Sequence, residues 1–281
     1  MIRRALRKPL ESQQKELSRR QQLRVVNQTR RIQQRIGRRM RNEFRRFFIG
    51  QAKRVIKIWL DAGGYLSSAG DGEYKDPATA MMGVSEDAAA VAASRPYVLE
   101  MTISALNNSA AVTAGATFIA TDPIVLYLVE RSAQRVVKIN EATRRGIQRT
   151  ILRGAAAGYS PREVAYGSTA TRKAGYRPLE NVVQALYRGR PECIARTELA
   201  YSNNGASLYQ MEEMGLGQVQ VIDGPGCALT QHVPGLQPGE SSAEDINGRV
   251  ITTKEANQWQ LAHPNCRRVF LPMRAAPSRS R

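Results

Sequence analysis

The sequence predicts an α+β chain that is mainly α, with a long helix first, a helical core next and a small antiparallel β module last. Three observations predict it. Apolar residues recur at helical spacing in several segments before Gly217. Beyond Gly217 the pattern changes to short alternating runs separated by Gly- and Pro-rich turns. Helix start and stop signals punctuate the middle of the chain, which reads as several helices rather than one.

Residues 1–61 are the first element, a basic helical arm. From about Glu11 to Leu60 the chain is rich in Gln, Arg, Lys and Glu and has no proline, a composition that favours helix. Ile32, Ile36, Met40, Phe44 and Phe48 recur every four residues, and Val55 and Trp59 resume the spacing. That is one apolar stripe, expected to dock on a partner protein, with arginines filling the other faces. Such a helix reaches roughly 75 Å at ~1.5 Å per residue. Gly37 and Gly50 are the points at which it is expected to bend or break.

Residues 62–121 read as a flexible linker and variable region. The stretch to about residue 95 is small, polar and Gly-rich, with room for an Ala-rich helical turn; Pro96 to Ala120 fits strand and helix equally. Residues 122–216 are the helical core. Asp122-Pro123 is an N-cap followed by proline at the first helical position, opening a helix towards Ala156. Gly158 stops it, and Ser160-Pro161-Arg162-Glu163 forms a capping box for the next helix. A Gly/Lys/Arg linker near Ala174 precedes a helix over Leu179–Leu186. A further helix runs from about Pro191 to Met214 and ends at Gly215. Residues 217–274 are the β module: Val219 and Val221 alternate, Arg249 to Thr252 follows an Asn247-Gly248 turn, and Arg268 to Leu271 is a last strand. Thr252 and Glu255 make another capping box, for a short helix through Trp259. Residues 275–281 are a basic tail.

Charge is unevenly spread. Residues 1–50 hold sixteen Arg and Lys against three Glu, whereas the other residues hold 26 basic and 21 acidic side chains. The basic character is therefore assigned to the first module, with the rest nearly neutral. Clustered arginine favours a polyanion partner, because each neutralised phosphate releases counterions. The residues expected to touch it are Arg19, Arg20, Arg24, Arg30, Arg31, Arg35, Arg38, Arg39, Arg41, Arg45 and Arg46. Three cysteines, with Cys193 distant from the others, do not make a disulfide framework. No apolar run of signal-peptide length follows the basic N-terminus, and no stretch nears the ~20 apolar residues of a membrane span, so folding in a reducing cytoplasm is expected.

The chain's two histidines and two of its three cysteines fall together as Cys227, His232, His263 and Cys266. The pattern is two short-spaced ligand pairs with a loop between, as in closed tetrahedral Cys2His2 zinc sites. A structural Zn2+ there would staple the Asp223-Gly224-Pro225-Gly226 turn to the last strand. A unit of this size with few large apolar side chains commonly needs such a tie. The plain alternative is a small buried cysteine, a surface histidine and an ordinary turn.

The residues around that cluster carry a resemblance. Val221 to His232 (VIDGPGCALTQH), Asn247 to Ala256 (NGRVITTKEA) and Ala262 to Pro272 (AHPNCRRVFLP) resemble the C-terminal signature of phage head morphogenesis proteins. That is the family of the phage Mu F-like minor head protein, as carried by phages of actinobacteria. Ile194 to Ala206 (IARTELAYSNNGA) resembles its Arg-Thr-Glu helix, and Ile139 to Ala165 the helical region before it. The resemblance spans about Asp122 to Pro272. Many relatives carry a second cysteine where this chain has His232. It implies a minor capsid protein inside the head at the portal vertex, met in the host cytoplasm during assembly. Portal protein, packaged double-stranded DNA, and scaffold or major capsid protein would be its partners. No membrane is involved, and the role lies in assembly or DNA delivery.

Arg196, Thr197, Glu198 and Asp223 are expected to be structural. Glu192 and Arg196 are four apart and pair along the helix. No second carboxylate or histidine supports Glu198 as a catalytic group, so no enzyme is expected. The rival readings are a zinc-dependent nuclease using His263 or Glu198 as base, and a non-specific cytoplasmic DNA-binding protein. Against the nuclease, a catalytic zinc keeps a position open for water, whereas all four Cys and His are most simply ligands.

Overall fold

The structure is a computed structural model, which describes residues 19–64, 78, 81–111, 117–223, 248–261, 264 and 266–273. The elements in order are α1 (Arg19–Asp61), α2 (Val84–Ala111), α3 (Pro123–Ala156), α4 (Pro161–Tyr166), α5 (Thr169–Lys173), α6 (Leu179–Arg188) and α7 (Arg190–Glu213). They are followed by β1 (Gln218–Ile222), β2 (Val250–Thr252), α8 (Thr253–Gln258) and β3 (Val269–Met273). The fold is thus mainly helical with a small antiparallel sheet at its C-terminal end. Among the described residues no helix is long and apolar enough to cross a membrane.

The chain divides into two compact units. One comprises Met1–Arg35, Glu100–Leu128 and Leu199–Arg281; the other comprises Ile36–Leu99 and Val129–Glu198. This differs from the linear succession of modules expected from the sequence, because α1, α2, α3 and α7 each contribute residues to both units.

In the first unit the sheet has the order β2-β1-β3 and is antiparallel throughout, with Val219 opposite Ile251 and Val221 opposite Phe270. Alternation along β1 sends Val219 and Val221 to one face, where they pack with Phe270, Leu208 and Met211 of α7 and Ala256 of α8. On the other face Ile222, Val269 and Leu271 pack on Val26 of α1. The helix-to-sheet turn is set by Gly215. Its φ of 72° admits the left-handed conformation in which Leu216 N–H donates to Met211 O and Gly215 N–H to Glu212 O. The capping box of α8 forms as expected, Glu255 N–H donating to Thr252 Oγ1 and Thr252 N–H to the Glu255 carboxylate.

In the second unit the stripe of α1 is core. Ile36, Met40, Phe44, Phe48, Val55 and Trp59 are all at most 4% exposed. This corrects the expectation that the stripe docks on a partner protein and that residues 1–61 form an arm. The face is already covered by this chain. Trp59 donates its indole N–H to Pro161 O, Arg54 pairs with Glu86 of α2, and the Arg39 guanidinium lies 5.4 Å from the Tyr97 ring centroid. The helix does not break at Gly37 or Gly50, since it is continuous over Arg19–Asp61.

The second correction concerns residues 84–111, which fall in the region read as a linker and form the 28-residue helix α2. Ala90, Val98, Met101, Ala105 and Leu106 are buried, and so are Ser94 and Thr102. Small and polar residues on its packed sides erase the apolar period. Pro96 sits inside the helix. A third difference is α5, where a linker was read: Ser168 caps it reciprocally with Thr171.

Candidate functional site

Three groupings position the residues singled out in the sequence. The first is the Arg-Thr-Glu segment of α7, in the second unit. Arg196 Nη2 donates to Glu192 Oε1 at 2.6 Å, as the four-residue spacing predicted. Thr197 Oγ1 donates back to Cys193 O at 2.7 Å. Glu198 is 2% exposed, and its carboxylate accepts from Ser132 Oγ at 2.6 Å and from Arg135 Nε and Nη2 of α3. Both carboxylate oxygens are engaged, so the group fixes α7 against α3. A buried carboxylate held this way is a positioning element.

The second grouping lies in the first unit, where α7 meets the C-terminal segment. Asp223 and Arg268 form a bidentate ion pair, Nε to Oδ1 at 2.7 Å and Nη2 to Oδ2 at 2.9 Å, with side chains 2% and 0% exposed. Arg268 Nη1 also donates to Trp259 O. Asn204, fully buried on α7, donates to both Gln260 O and Arg268 O. Asp223 was expected to be structural. Arg268 and Asn204 were not singled out, although both stand in quoted segments. The signal that would have found Arg268 is a lone Asp at a turn facing a strand that begins with two arginines.

Of the four expected zinc ligands, Cys227, His232 and His263 lie outside the described residues. Cys266 is described: it is 0% exposed and packs with Leu261. Among the described residues there is no group of three or more Cys, His, Asp and Glu side chains able to hold a metal. In sequence Cys266 stands two residues before Arg268, and Cys227 four residues after Asp223.

The third grouping is the set of arginines on α1. In the first unit Arg24, Arg31 and Arg35 are exposed, while Arg30 is half-buried and its Nε has no hydrogen-bond partner among the described residues. Arg35 approaches Glu100 only to 3.7 Å, with its side chain 68% exposed. In the second unit Arg38, Arg39, Arg45 and Arg46 are exposed, and Arg41 is half-buried at 3.9 Å from Glu192. Arg19 and Arg20 belong to the helix, but their side chains lie outside the described residues. Over the whole of α1 the carboxylates are Glu43 and Asp61, against fourteen Arg and Lys. Arg24, Arg31, Arg38 and Arg45, spaced by seven residues, make no ion pair among the described residues.

No family model, curated protein or solved structure matches this chain.

Proposed function

We propose that this chain is a minor head protein of a tailed phage, associated with the portal vertex inside the capsid, that contacts packaged double-stranded DNA and acts in head assembly or DNA delivery. The observation that carries the DNA contact is the sorting of α1. Its apolar stripe is spent on this chain's own core, while seven of its arginines face water almost without carboxylates. A face kept for solubility alone mixes both signs. A face of one sign suits a polymer of the other, and phosphate contacts position a protein on DNA without choosing sequence. The resemblance of residues 122–272 to phage head morphogenesis proteins supports the place in the virion.

A structural zinc belongs to the same proposal. Cys227, His232, His263 and Cys266 would hold it, and a closed Cys2His2 set would supply a cross-link rather than chemistry. Burial of Cys266, beside the Asp223–Arg268 pair, fits that role. The alternative of a nuclease base at Glu198 finds no support in a carboxylate already held by Ser132 and Arg135.

The test is fluorescence anisotropy of the full chain with a random-sequence duplex across salt concentrations. Contact with about eight phosphates makes affinity fall by roughly 10⁴-fold between 50 and 200 mM salt. Replacing Arg31, Arg35, Arg38, Arg39 and Arg45 with Gln should flatten the slope. Wild-type binding by that variant, together with failure to join portal protein, would move the face to protein docking.

A further inference from the structure

The near-neutral balance outside the first fifty residues conceals a second concentration of charge. Residues 142–190 contain ten Arg and Lys against two Glu, and all lie in the second unit. The structure divides these bases into two kinds. Arg144 is held internally, paired with Asp87 of α2 and donating to Met82 O, and Arg190 is half-buried and donates to Thr143 Oγ1. The same unit spends Arg54 on Glu86 and Arg135 on Glu198. The other eight bases of residues 142–190 are exposed.

On α3, Arg145, Arg149 and Arg153 follow one another every four residues and are all exposed. They form a ridge along about 12 Å of helix. The helix's buried side, at Ile147, Thr150, Ile151 and Gly154, faces the other way. The segment that packs on that end of α3 adds more. Tyr176 donates its hydroxyl to Thr150 O and stacks edge-on with Tyr159 at 4.9 Å, and Val164 of α4 lies against Gly154. This fixes α4 to α6 on the last turns of α3. From there Arg162, Lys173 and Arg177 are exposed. None of these six makes an ion pair among the described residues. The nearest carboxylate in sequence, Glu163, is occupied by Ser160 and Ser168 in the cap of α4.

We propose that this basic end of the second unit, the α3 ridge of Arg145, Arg149 and Arg153 with Arg162, Lys173 and Arg177 on α4 to α6, is a second contact surface for the phosphate backbone of duplex nucleic acid. It shares with the α1 arginines only the class of partner. The surface favours a phosphate polymer over an acidic protein for two reasons. The side chains on the surface are arginines with one lysine, and guanidinium matches phosphate in bidentate geometry. Among the described residues the exposed large apolar side chains on it are Leu152 on the ridge and Tyr166 on α4, too few to supply the desolvated centre that protein interfaces need.

The experiment compares three full-length proteins by anisotropy with the same random duplex: wild type, the α1 glutamine variant above, and a variant with Arg145, Arg149, Arg153, Arg162, Lys173 and Arg177 all changed to Gln. Far-UV circular dichroism and urea midpoints check that the exposed substitutions leave the fold intact. If the surface engages about four phosphates, its removal lowers the magnitude of the log–log salt slope by roughly 3.6. That corresponds to a contribution of roughly 10²-fold to the affinity change between 50 and 200 mM salt. The α1 variant should keep that remaining slope, so the two surfaces fail separately. A six-site variant that binds DNA with wild-type affinity and slope overturns this inference while leaving the α1 reading untouched. So does a variant that keeps DNA binding but loses binding to polyglutamate, which would mark an acidic protein as the partner.

Discussion

Replacing Asp223 with Asn tests the assignment of the Asp223–Arg268 pair as the tie of the C-terminal module. The substitution keeps size and shape but removes the charge facing a guanidinium that is 0% exposed. Arg268 keeps its bond to Trp259 O, yet two of its donors lose a carboxylate that took both at 2.9 Å or less. Removing one partner of a buried pair costs about 3–5 kcal/mol, chiefly because the other charge stays buried without compensation. The two tryptophans make the assay local. Trp59 is buried in the second unit, and Trp259 packs on the α7–sheet core of the first. In a Trp59→Phe background, urea unfolding followed by Trp259 fluorescence therefore reports the first unit. With a slope of roughly 2 kcal/mol/M, the midpoint should fall by about 1.5–2.5 M. Asp223→Leu combined with Arg268→Met should recover most of the loss, since an apolar pair of similar volume carries no stranded charge. A midpoint shift corresponding to less than about 1 kcal/mol in Asp223→Asn, or a double variant as damaged as the sum of its parts, refutes the reasoning.

Three further outcomes are expected. Purified protein should carry a single zinc ion per chain, lost on Cys227→Ser and on Cys266→Ser; elemental analysis finding no zinc in fresh wild-type protein would remove the metal from the proposal. Gly154→Ala should destabilise the second unit by about 1–3 kcal/mol in urea unfolding read by Trp59, because an added Cβ would stand 2.6 Å from both the Tyr176 hydroxyl and Val164 Cγ2. The Glu163 carboxylate is held below its ordinary range by the Ser160 N–H, the Ser160 hydroxyl and then the Ser168 hydroxyl. Its cap therefore contributes fully above the unfolded carboxyl's pKa and is lost as pH falls through the depressed folded value. NMR titration should show Glu163 protonating after exposed glutamates, and Glu163→Gln should flatten that part of the acid limb.

What was legible in the sequence was punctuation and period. Asp122-Pro123 set the start of α3, Ser160 with Glu163 and Thr252 with Glu255 set two more helices, and Gly215 ended α7. In the two capping boxes the signal is local, a side chain meeting a backbone group three residues away. Alternation likewise placed β1, because a half-buried strand must send every second residue inward, whereas β3 is buried at Val269, Phe270 and Leu271 alike. α2 was not legible for the converse reason. Its packed sides include Ala90, Ser94, Thr102 and Ala105, which fill space between neighbouring elements but leave no hydrophobic signature. Period also identified the buried face of α1 without saying what buries it. The same stripe fits a partner's groove or this chain's own core, and only α2 and Pro161 decide the matter.

The sites divide along the same line. Glu198 and Asp223 were legible as charges in an otherwise packed setting, and both prove to be held by arginines far away in the chain, Arg135 and Arg268. Which arginine answers which carboxylate depends on topology, so the partner escaped reading while the need for one did not. Charge summed over the chain erred in the opposite direction. Averaging residues 51–281 set the basic run of 142–190 against acids such as Glu86, Asp87, Glu198 and Asp223, and arrived near neutrality. The structure shows that those four acids are turned inward, where four arginines, Arg54, Arg144, Arg135 and Arg268, already answer them. Each pair withdraws one acid and one base together and leaves the sum as it was; what the sum conceals is position, with ten bases against two Glu over residues 142–190. What a polyanion meets on the second unit is the unanswered remainder, and that remainder is positive both on α1 and at the end of α3.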